Sequence, residues 1–304
     1  MKRLIVSDVS GTVTDLEEGA AEFNRRFVQA LTRVMQVCAR DVASEVEEAM
    51  RFMDTTPHLN GWVVDGEVVA PATADPYVRM RTAAGLVLDL HNLMLNPSRR
   101  EAWLDRIFAE TRAGLPAVFK DDALPYLACL DRHGARFMSN TGADEARSWF
   151  NQLVEIVRSE AGAALLSRWF GWSDAETLDS VLDMLASCKE RVHGEAGRQM
   201  VEPMLQVCVP ELTIPGLERP VLLHRARYHR FLQQLLHEAE AKWSDLWVVG
   251  DIWELDGALP WVLGATVVMI DNGVMPDYER HWLARQERIH ITETLTGARK
   301  ILFG

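Results

Sequence analysis

The hydrophobic positions of the chain fall into short apolar runs separated by longer segments with helical periodicity. The runs are too short for helices and end at polar or glycine residues, as buried strands do. The predicted core strands are residues 3–7, 135–138, 246–249, 266–270 and 288–292, with a further candidate at 221–224. Such strands alternating with helices predict an α/β fold with a doubly wound, mostly parallel sheet.

A long helical region separates the first predicted strand from the others. It spans about residues 16–115, and two apolar runs around Asp65-Gly66 interrupt it and predict a β-hairpin. A second helical tract covers about 143–209, which is more than the predicted sheet needs. We therefore predict an α/β core made of 1–15 and 116–304, with a mainly helical inserted domain at 16–115.

Composition indicates which partners and which cellular location to expect. The chain has 304 residues, of which 48% are hydrophobic, and a net charge of -12. The negative charge argues against nucleic acid as a partner, and no apolar run has the roughly 18 residues of a membrane span. The N-terminal apolar stretch is too short for a signal peptide, so the expected location is the cytoplasm. Four scattered cysteines favour buried reduced thiols over a zinc site or disulfides: Cys38, Cys129, Cys188 and Cys208.

Polar residues cluster where three of the predicted strands end. They are residues 8–12, 139–141 and 250–256. Because the carboxyl ends of the strands form the ligand site in open α/β sheets, we expect the three clusters to lie together.

The first cluster is Asp8-Val9-Ser10-Gly11-Thr12. A carboxylate at a strand end can attack an electrophile and form an acyl-type intermediate. Gly11 permits a tight turn, and Thr12 can stabilise it through a hydrogen bond. The alternative is an aspartate that only caps a turn.

The last cluster, Gly250 to Asp256, carries two acids five positions apart after a buried strand. Carboxylate oxygens of this kind suit Mg²⁺. The alternative is the N-terminus of a helix, where the helix dipole favours acidic side chains. A third acid, Glu254, is expected to face solvent. In the middle cluster, the Ser139 hydroxyl and nearby backbone N–H groups can bind a phosphate oxygen.

In this order the three clusters resemble the motifs of the haloacid dehalogenase-like (HAD) hydrolases. The resemblance covers the core, about residues 1–15, 116–145 and 221–304, and it implies a phosphatase-type enzyme with a cap domain inserted at 16–115. It implies that Asp8 is the nucleophile and forms an aspartyl-phosphate. It also implies that Ser139 binds the transferring phosphoryl group and that Gly11, Thr12 and Asn140 bind the substrate. It implies that Mg²⁺ is held by Asp8, the Ser10 carbonyl oxygen and Asp251, with Asp256 assisting.

Ser10 departs from the family pattern, because most family phosphatases have a second aspartate there. That aspartate protonates the leaving group and then activates water, which a serine hydroxyl cannot do at neutral pH. Losing such a group typically costs about 10²–10⁴-fold in rate. Ser10 therefore predicts a slow phosphatase, a good leaving group or a different reaction.

Other family branches fit less well. Phosphonate-cleaving relatives need a cap lysine, and residues 16–115 contain none. Dehalogenase relatives need no metal, yet Asp251 and Asp256 are present. The membrane-pump branch needs spans that the sequence lacks.

A second departure concerns the lysine that family members carry between the second and last motifs. No lysine precedes the predicted helix that starts near Tyr228. Arg225 or Arg227 can supply the charge, although arginine does not replace a buried lysine freely. The alternative is a pair of solvated arginines.

Two hypotheses follow for function. The first is a Mg²⁺-dependent hydrolase of a small phosphorylated metabolite, with Trp62 of the inserted domain as a candidate substrate contact. The second is a catalytically degenerate protein of the same fold that binds a ligand or serves a regulatory role. A homodimer is possible in either case.

Overall fold

A computed structural model describes residues 3–64, 67–139, 143–159, 162, 164, 166–167, 175–193, 211–223 and 225–304. By its internal contacts the chain divides into two compact units. The first consists of Met1–Asp15 and Phe119–Gly304, and the second of Leu16–Val118.

The first unit is built on a five-stranded parallel sheet in the order β4-β1-β5-β6-β7. Its strands are β1 Leu4–Asp8, β4 Arg136–Met138, β5 Leu246–Gly250, β6 Thr266–Ile270 and β7 Ile289–Thr292. A parallel sheet of this order with intervening helices confirms the predicted α/β class. β1 and β5 are neighbouring inner strands, so the first and last polar clusters, which begin at their carboxyl ends, lie side by side.

Helices lie in the segments between these strands, and one more helix follows the last strand. They are α5 Ala123–Arg132, α6 Ala143–Arg158, α7 Ala175–Glu190, α8 Ala226–Glu238, α9 Ala258–Val262, α10 Asp277–Leu283 and α11 Leu295–Phe303. A π-helical turn at Trp253–Gly257 precedes α9. One hydrophobic core contains the buried side chains of Leu232 of α8, Val248 of β5 and Trp253. The sheet is therefore covered on the face that packs against α8.

The second unit is mainly helical and has its own core. Its elements are α1 Leu16–Met35, α2 Ala39–Thr55, the antiparallel hairpin of β2 Gly61–Val64 and β3 Glu67–Pro71, α3 Pro76–Leu90 and α4 Pro97–Arg112. Phe23, Phe27 and Leu31 recur at helical spacing on one face of α1 and are fully buried. The predicted hairpin is confirmed, while its Asp65-Gly66 turn lies outside the described residues.

Three sequence expectations need correction or fall outside the described part. Residues 221–223 form no strand, because Val221 makes a single isolated bridge to Leu212. Cys38 is exposed, whereas Cys129 and Cys188 are buried free thiols as expected, and Cys208 lies outside the described residues. The final part of the predicted 143–209 helical tract, residues 194–209, is not among the described residues.

Among the residues that the structure describes, none of the helices combines the length and apolar character that a membrane span requires.

Candidate active site

Asp8 ends β1 in the middle of the sheet, and its side chain is buried. The backbone here is held by Ser7, whose hydroxyl donates to the carbonyl oxygen of Asp8 at 2.9 Å and lies 3.0 Å from the Tyr126 hydroxyl. Both carboxylate oxygens of Asp8, in contrast, are buried without a hydrogen-bond partner among the described residues. Since buried carboxylates are normally satisfied, this one is suited to a ligand.

The turn after Asp8 packs directly against Asp251. Gly11 has a φ of +77°, and a Cβ atom there would lie 2.0 Å from Oδ2 of Asp251, so only glycine fits. The Gly11 N–H donates to Oγ1 of Thr14 at 2.9 Å, and the Thr12 hydroxyl donates to Oδ1 of Asp251 at 3.4 Å. Gly11 and Thr12 thus hold the first turn against the last acidic cluster, while their predicted role in binding substrate stays a prediction. Ser10 lies in this turn and is half-buried.

The last cluster, residues 250–256, begins at the end of β5, and backbone N–H groups of this loop hold one of its acids in place. Oδ2 of Asp256 accepts hydrogen bonds from the backbone N–H groups of Asp251, at 3.1 Å, and Ile252, at 3.0 Å. A Cβ atom on Gly250 would lie 2.4 Å from that of Asp256, so glycine is needed at the strand end. The π-helical turn therefore returns Asp256 to the position beside Asp251.

Three carboxylates meet at this point, those of Asp8, Asp251 and Asp256. Each offers an oxygen, and the three oxygens lie within 4.8 Å of one another. Burial, followed by repulsion from Asp256 and then Asp251, raises the pKa of Asp8 well above its usual value. The unsatisfied buried oxygens of Asp8 and the all-oxygen donor set fit a hard divalent cation such as Mg²⁺.

Ser139 follows β4, which pairs with β1 on its other side. Met138 is in register with Asp8, and its carbonyl oxygen accepts from the Val9 N–H at 3.1 Å. Ser139 is fully buried next to this point. Asn140, predicted from the same motif, lies outside the described residues.

Of the two predicted arginines, Arg225 is the one whose charge interacts with Asp8 in the structure. It is buried just before α8, and burial is the main cause that lowers the pKa of its guanidinium. Tyr228, Asp256 and Asp8 act in the opposite direction and favour its charged form. Arg227, the other candidate, is half-buried in the first turn of α8.

Sequence reasoning missed Lys120 and Asn272. The Lys120 ammonium donates to Oδ1 of Asn272 at 2.6 Å, and the Asn272 amide donates to the Gly11 carbonyl oxygen at 2.9 Å and to Oδ2 of Asp251 at 3.2 Å. Asn272 had a detectable signal, because it lies two residues after β6 at the same edge of the sheet. Lys120 had none, since it precedes α5 rather than following a strand.

The expectation that Glu254 faces solvent is wrong. Its side chain is fully buried in the π-helical turn and forms a two-pronged ion pair with Arg219, at 2.6 and 2.8 Å. Burial raises the pKa of Glu254, and Arg219 opposes that shift. The glutamate therefore anchors the loop that carries Asp251 and Asp256.

Trp62 belongs to the second unit. It is buried, with 6% of its surface exposed, and pairs with Ala70 across the β2–β3 hairpin. A role for Trp62 in contacting substrate stays a prediction.

No protein-family model matches the chain, and neither does any curated protein. Among solved structures, the chain is similar to a HAD phosphatase from Thermococcus onnurineus, with 14% identity, coverage of 99% of this chain and 98% of the other, and a TM-score of 0.42. A haloacid dehalogenase-like family hydrolase from Xanthomonas campestris matches with 11% identity, coverage of 99% and 94%, and a TM-score of 0.46. The L-2-haloacid dehalogenase from Xanthobacter autotrophicus matches with 12% identity, coverage of 99% and 98%, and a TM-score of 0.41. Similarity at this level transfers no activity to the chain.

Proposed function

We propose that the protein is a Mg²⁺-dependent hydrolase of small phosphate esters that acts through an aspartyl-phosphate on Asp8. The observation that carries the proposal is the buried carboxylate of Asp8, unsatisfied among the described residues, within 4.8 Å of the oxygens of Asp251 and Asp256. Three mutually repelling acids, of which Asp8 and Asp256 are buried and Asp251 is half-buried, are costly unless a cation binds there. A chain without such a ligand has no physical reason to retain them.

Asp8, Asp251 and Asp256 would hold the ion, which when bound offsets the negative charge of the phosphoryl oxygens. In the first step a carboxylate oxygen of Asp8 attacks phosphorus. The bond from phosphorus to the ester oxygen breaks, and that oxygen leaves with the electron pair and takes a proton from solvent. In the second step water attacks phosphorus and gives up a proton to solvent, the bond to Asp8 breaks, and inorganic phosphate leaves as the carboxylate is restored.

A buried arginine and a buried serine hydroxyl are suited to bind the phosphoryl group. Arg225 is buried with its charge acting on Asp8 and Asp256, so it favours a bound anion there. Ser139, next to Asp8 on the neighbouring strand, is suited to donate a hydrogen bond to a phosphoryl oxygen.

Ser10 limits the rate in this proposal, since a serine cannot protonate the leaving oxygen or activate the water. Esters whose leaving group needs no proton, such as aryl phosphates, are therefore the preferred substrates. A second candidate, a ligand-binding protein without turnover, is favoured by the same residue.

The test is a hydrolysis assay on aryl and alkyl phosphates with Mg²⁺, comparing the wild type with Asp8→Asn and Ser10→Asp. We expect slow, Mg²⁺-dependent hydrolysis of the aryl ester and none in Asp8→Asn. Ser10→Asp should raise turnover of the alkyl ester at least about tenfold, because it supplies the missing acid. No turnover of any ester together with intact Mg²⁺ binding would favour the ligand-binding function, and a wild type that shows neither turnover nor Mg²⁺ binding would contradict the hydrolase.

A further inference from the structure

The side-chain amide of Asn272 connects Lys120 to two parts of the candidate active site, the turn after Asp8 and the loop that carries Asp251. Asn272 accepts from the Lys120 ammonium at 2.6 Å through its Oδ1 atom. Through its Nδ2 atom it donates to the Gly11 carbonyl oxygen at 2.9 Å and to Oδ2 of Asp251 at 3.2 Å. The amide orientation is set by these contacts, because a lysine can only donate and a carboxylate only accepts.

The backbone around Lys120 is tied to the turn that follows Asp8. The Lys120 N–H donates to the Val13 carbonyl oxygen at 3.1 Å, and Phe119 forms an antiparallel bridge with Thr14. The carbonyl oxygen of Lys120 then accepts from the Ala123 N–H at 3.0 Å as α5 begins. Lys120 is therefore held from both its backbone and its side chain.

The charge of Lys120 acts on the acids of the site. Its half-buried ammonium interacts with the carboxylates of Asp251, Asp15, Asp122 and Asp8, in decreasing order of strength. Asp122 has another partner, since its Oδ2 accepts from the Thr296 N–H at 2.6 Å. Lys120 and Arg225 are thus two cations set against the three acids that meet at Asp8.

We propose that Lys120, held by Asn272, is a second fixed cation of the candidate active site, which strengthens binding of the phosphoryl anion and weakens binding of Mg²⁺. The inference rests on the proposed function and adds a residue that the sequence resemblance did not supply. Its positive charge acts on the Asp251 and Asp8 carboxylates, which would bind the cation, so it competes with the ion for them. Once the ion is bound, the same charge adds to the attraction for an incoming phosphate dianion.

The experiment measures two binding constants in the full-length protein by calorimetry, for Mg²⁺ alone and for inorganic phosphate at saturating Mg²⁺. Lys120→Met removes the charge, and Lys120→Gln does so with a polar end. Lys300→Met makes the same change at an exposed lysine of α11 and is the matched control. Circular dichroism and thermal unfolding check that each variant is folded.

The two constants should move in opposite directions. We expect both neutral variants to weaken phosphate binding roughly tenfold and to tighten Mg²⁺ binding several-fold, as the loss of one nearby charge in a partly buried site implies. Lys120→Arg should keep most of the wild-type phosphate affinity, and Lys300→Met should change neither constant.

A structural role for Lys120 gives a different result. If the neutral variants weaken both ligands together, or leave both constants within twofold of the wild type, the inference is overturned while the proposed function stands. A wild-type protein that binds neither Mg²⁺ nor phosphate overturns the proposed function and this inference with it.

Discussion

At the scale of single residues, Asp8 and Ser10 have opposite consequences for the chemistry. Asp8 is buried beside two other acids and is unsatisfied among the described residues, which suits a nucleophile that also binds a cation. Ser10, two positions later, cannot serve as the acid or base that both steps of ester hydrolysis need. With an aryl ester, whose leaving group needs no proton, the expected enzyme therefore forms its intermediate more readily than it hydrolyses that intermediate.

The burial of the Asp8 carboxylate beside two other acids predicts how a substitution of Asp8 changes the stability of the fold. The pKa of Asp8 is raised in the folded protein, so the fold binds the proton more tightly than the unfolded chain does and the charged form costs free energy at neutral pH. Asp8→Asn removes the charge and should raise the free energy of unfolding in metal-free buffer at pH 7, while abolishing turnover.

Denaturant unfolding in the presence of a chelator measures this change, with Asp144→Asn as the control because the Asp144 side chain is fully exposed. Added Mg²⁺ should stabilise the wild type more than Asp8→Asn, since the variant has lost one of the proposed ligands. A variant that is less stable than the wild type without metal would show that the Asp8 carboxylate is not destabilising.

The sequence predicted residues that directly follow buried strands, and the structure brings Asp8, Asp251 and Asp256 together. It did not predict Lys120, because that lysine reaches the site through the side chain of Asn272, 152 positions away. The burial of Glu254 was missed for the same reason, since its partner Arg219 is 35 positions away. Spacing along the chain carries no information about such pairs.

At the scale of elements, the strands were predictable because each is a short apolar run that the sheet buries. Residues 266–270 form a strand with the predicted bounds, and every residue of it is buried. The order β4-β1-β5-β6-β7 was not predictable from local pattern, because it depends on crossovers between distant segments. Residues 221–223 mimic a strand in composition but make one isolated bridge instead.

The π-helical turn Trp253–Gly257 depends on the Arg219–Glu254 ion pair for its anchorage. Arg219 is 15% exposed and the Glu254 side chain is not exposed at all. Arg219→Met leaves a buried, uncompensated carboxylate, so we expect it to lower the free energy of unfolding by about 3 kcal/mol. We also expect weaker Mg²⁺ binding, because the turn carries Asp256 and follows Asp251.

Denaturant unfolding and Mg²⁺ calorimetry check this prediction. Arg25→Met is the control, because Arg25 pairs with Glu22 on the surface, where their side chains are 57% and 41% exposed, and should lose no measurable stability. Equal effects of the two substitutions would show that the buried pair does not anchor the turn.

At the scale of the whole molecule, the chain forms two units that each have a hydrophobic core. The parallel sheet of the first unit collects three polar clusters that are far apart in sequence, and this collection is what gives the protein a candidate site. The helical unit supplies a predicted substrate contact, Trp62, which stays a hypothesis. The account as a whole therefore depends on whether Asp8 reacts.

The most direct measurement is a rapid-quench experiment with an aryl phosphate and Mg²⁺, with the protein analysed by mass spectrometry. The account predicts a burst of released phenolate of about one equivalent per protein, then slower turnover, and a phosphoryl group on the peptide that contains Asp8. Asp8→Asn should show neither burst nor label. Steady hydrolysis without phosphorylation of Asp8, or hydrolysis that continues in Asp8→Asn, would contradict the account.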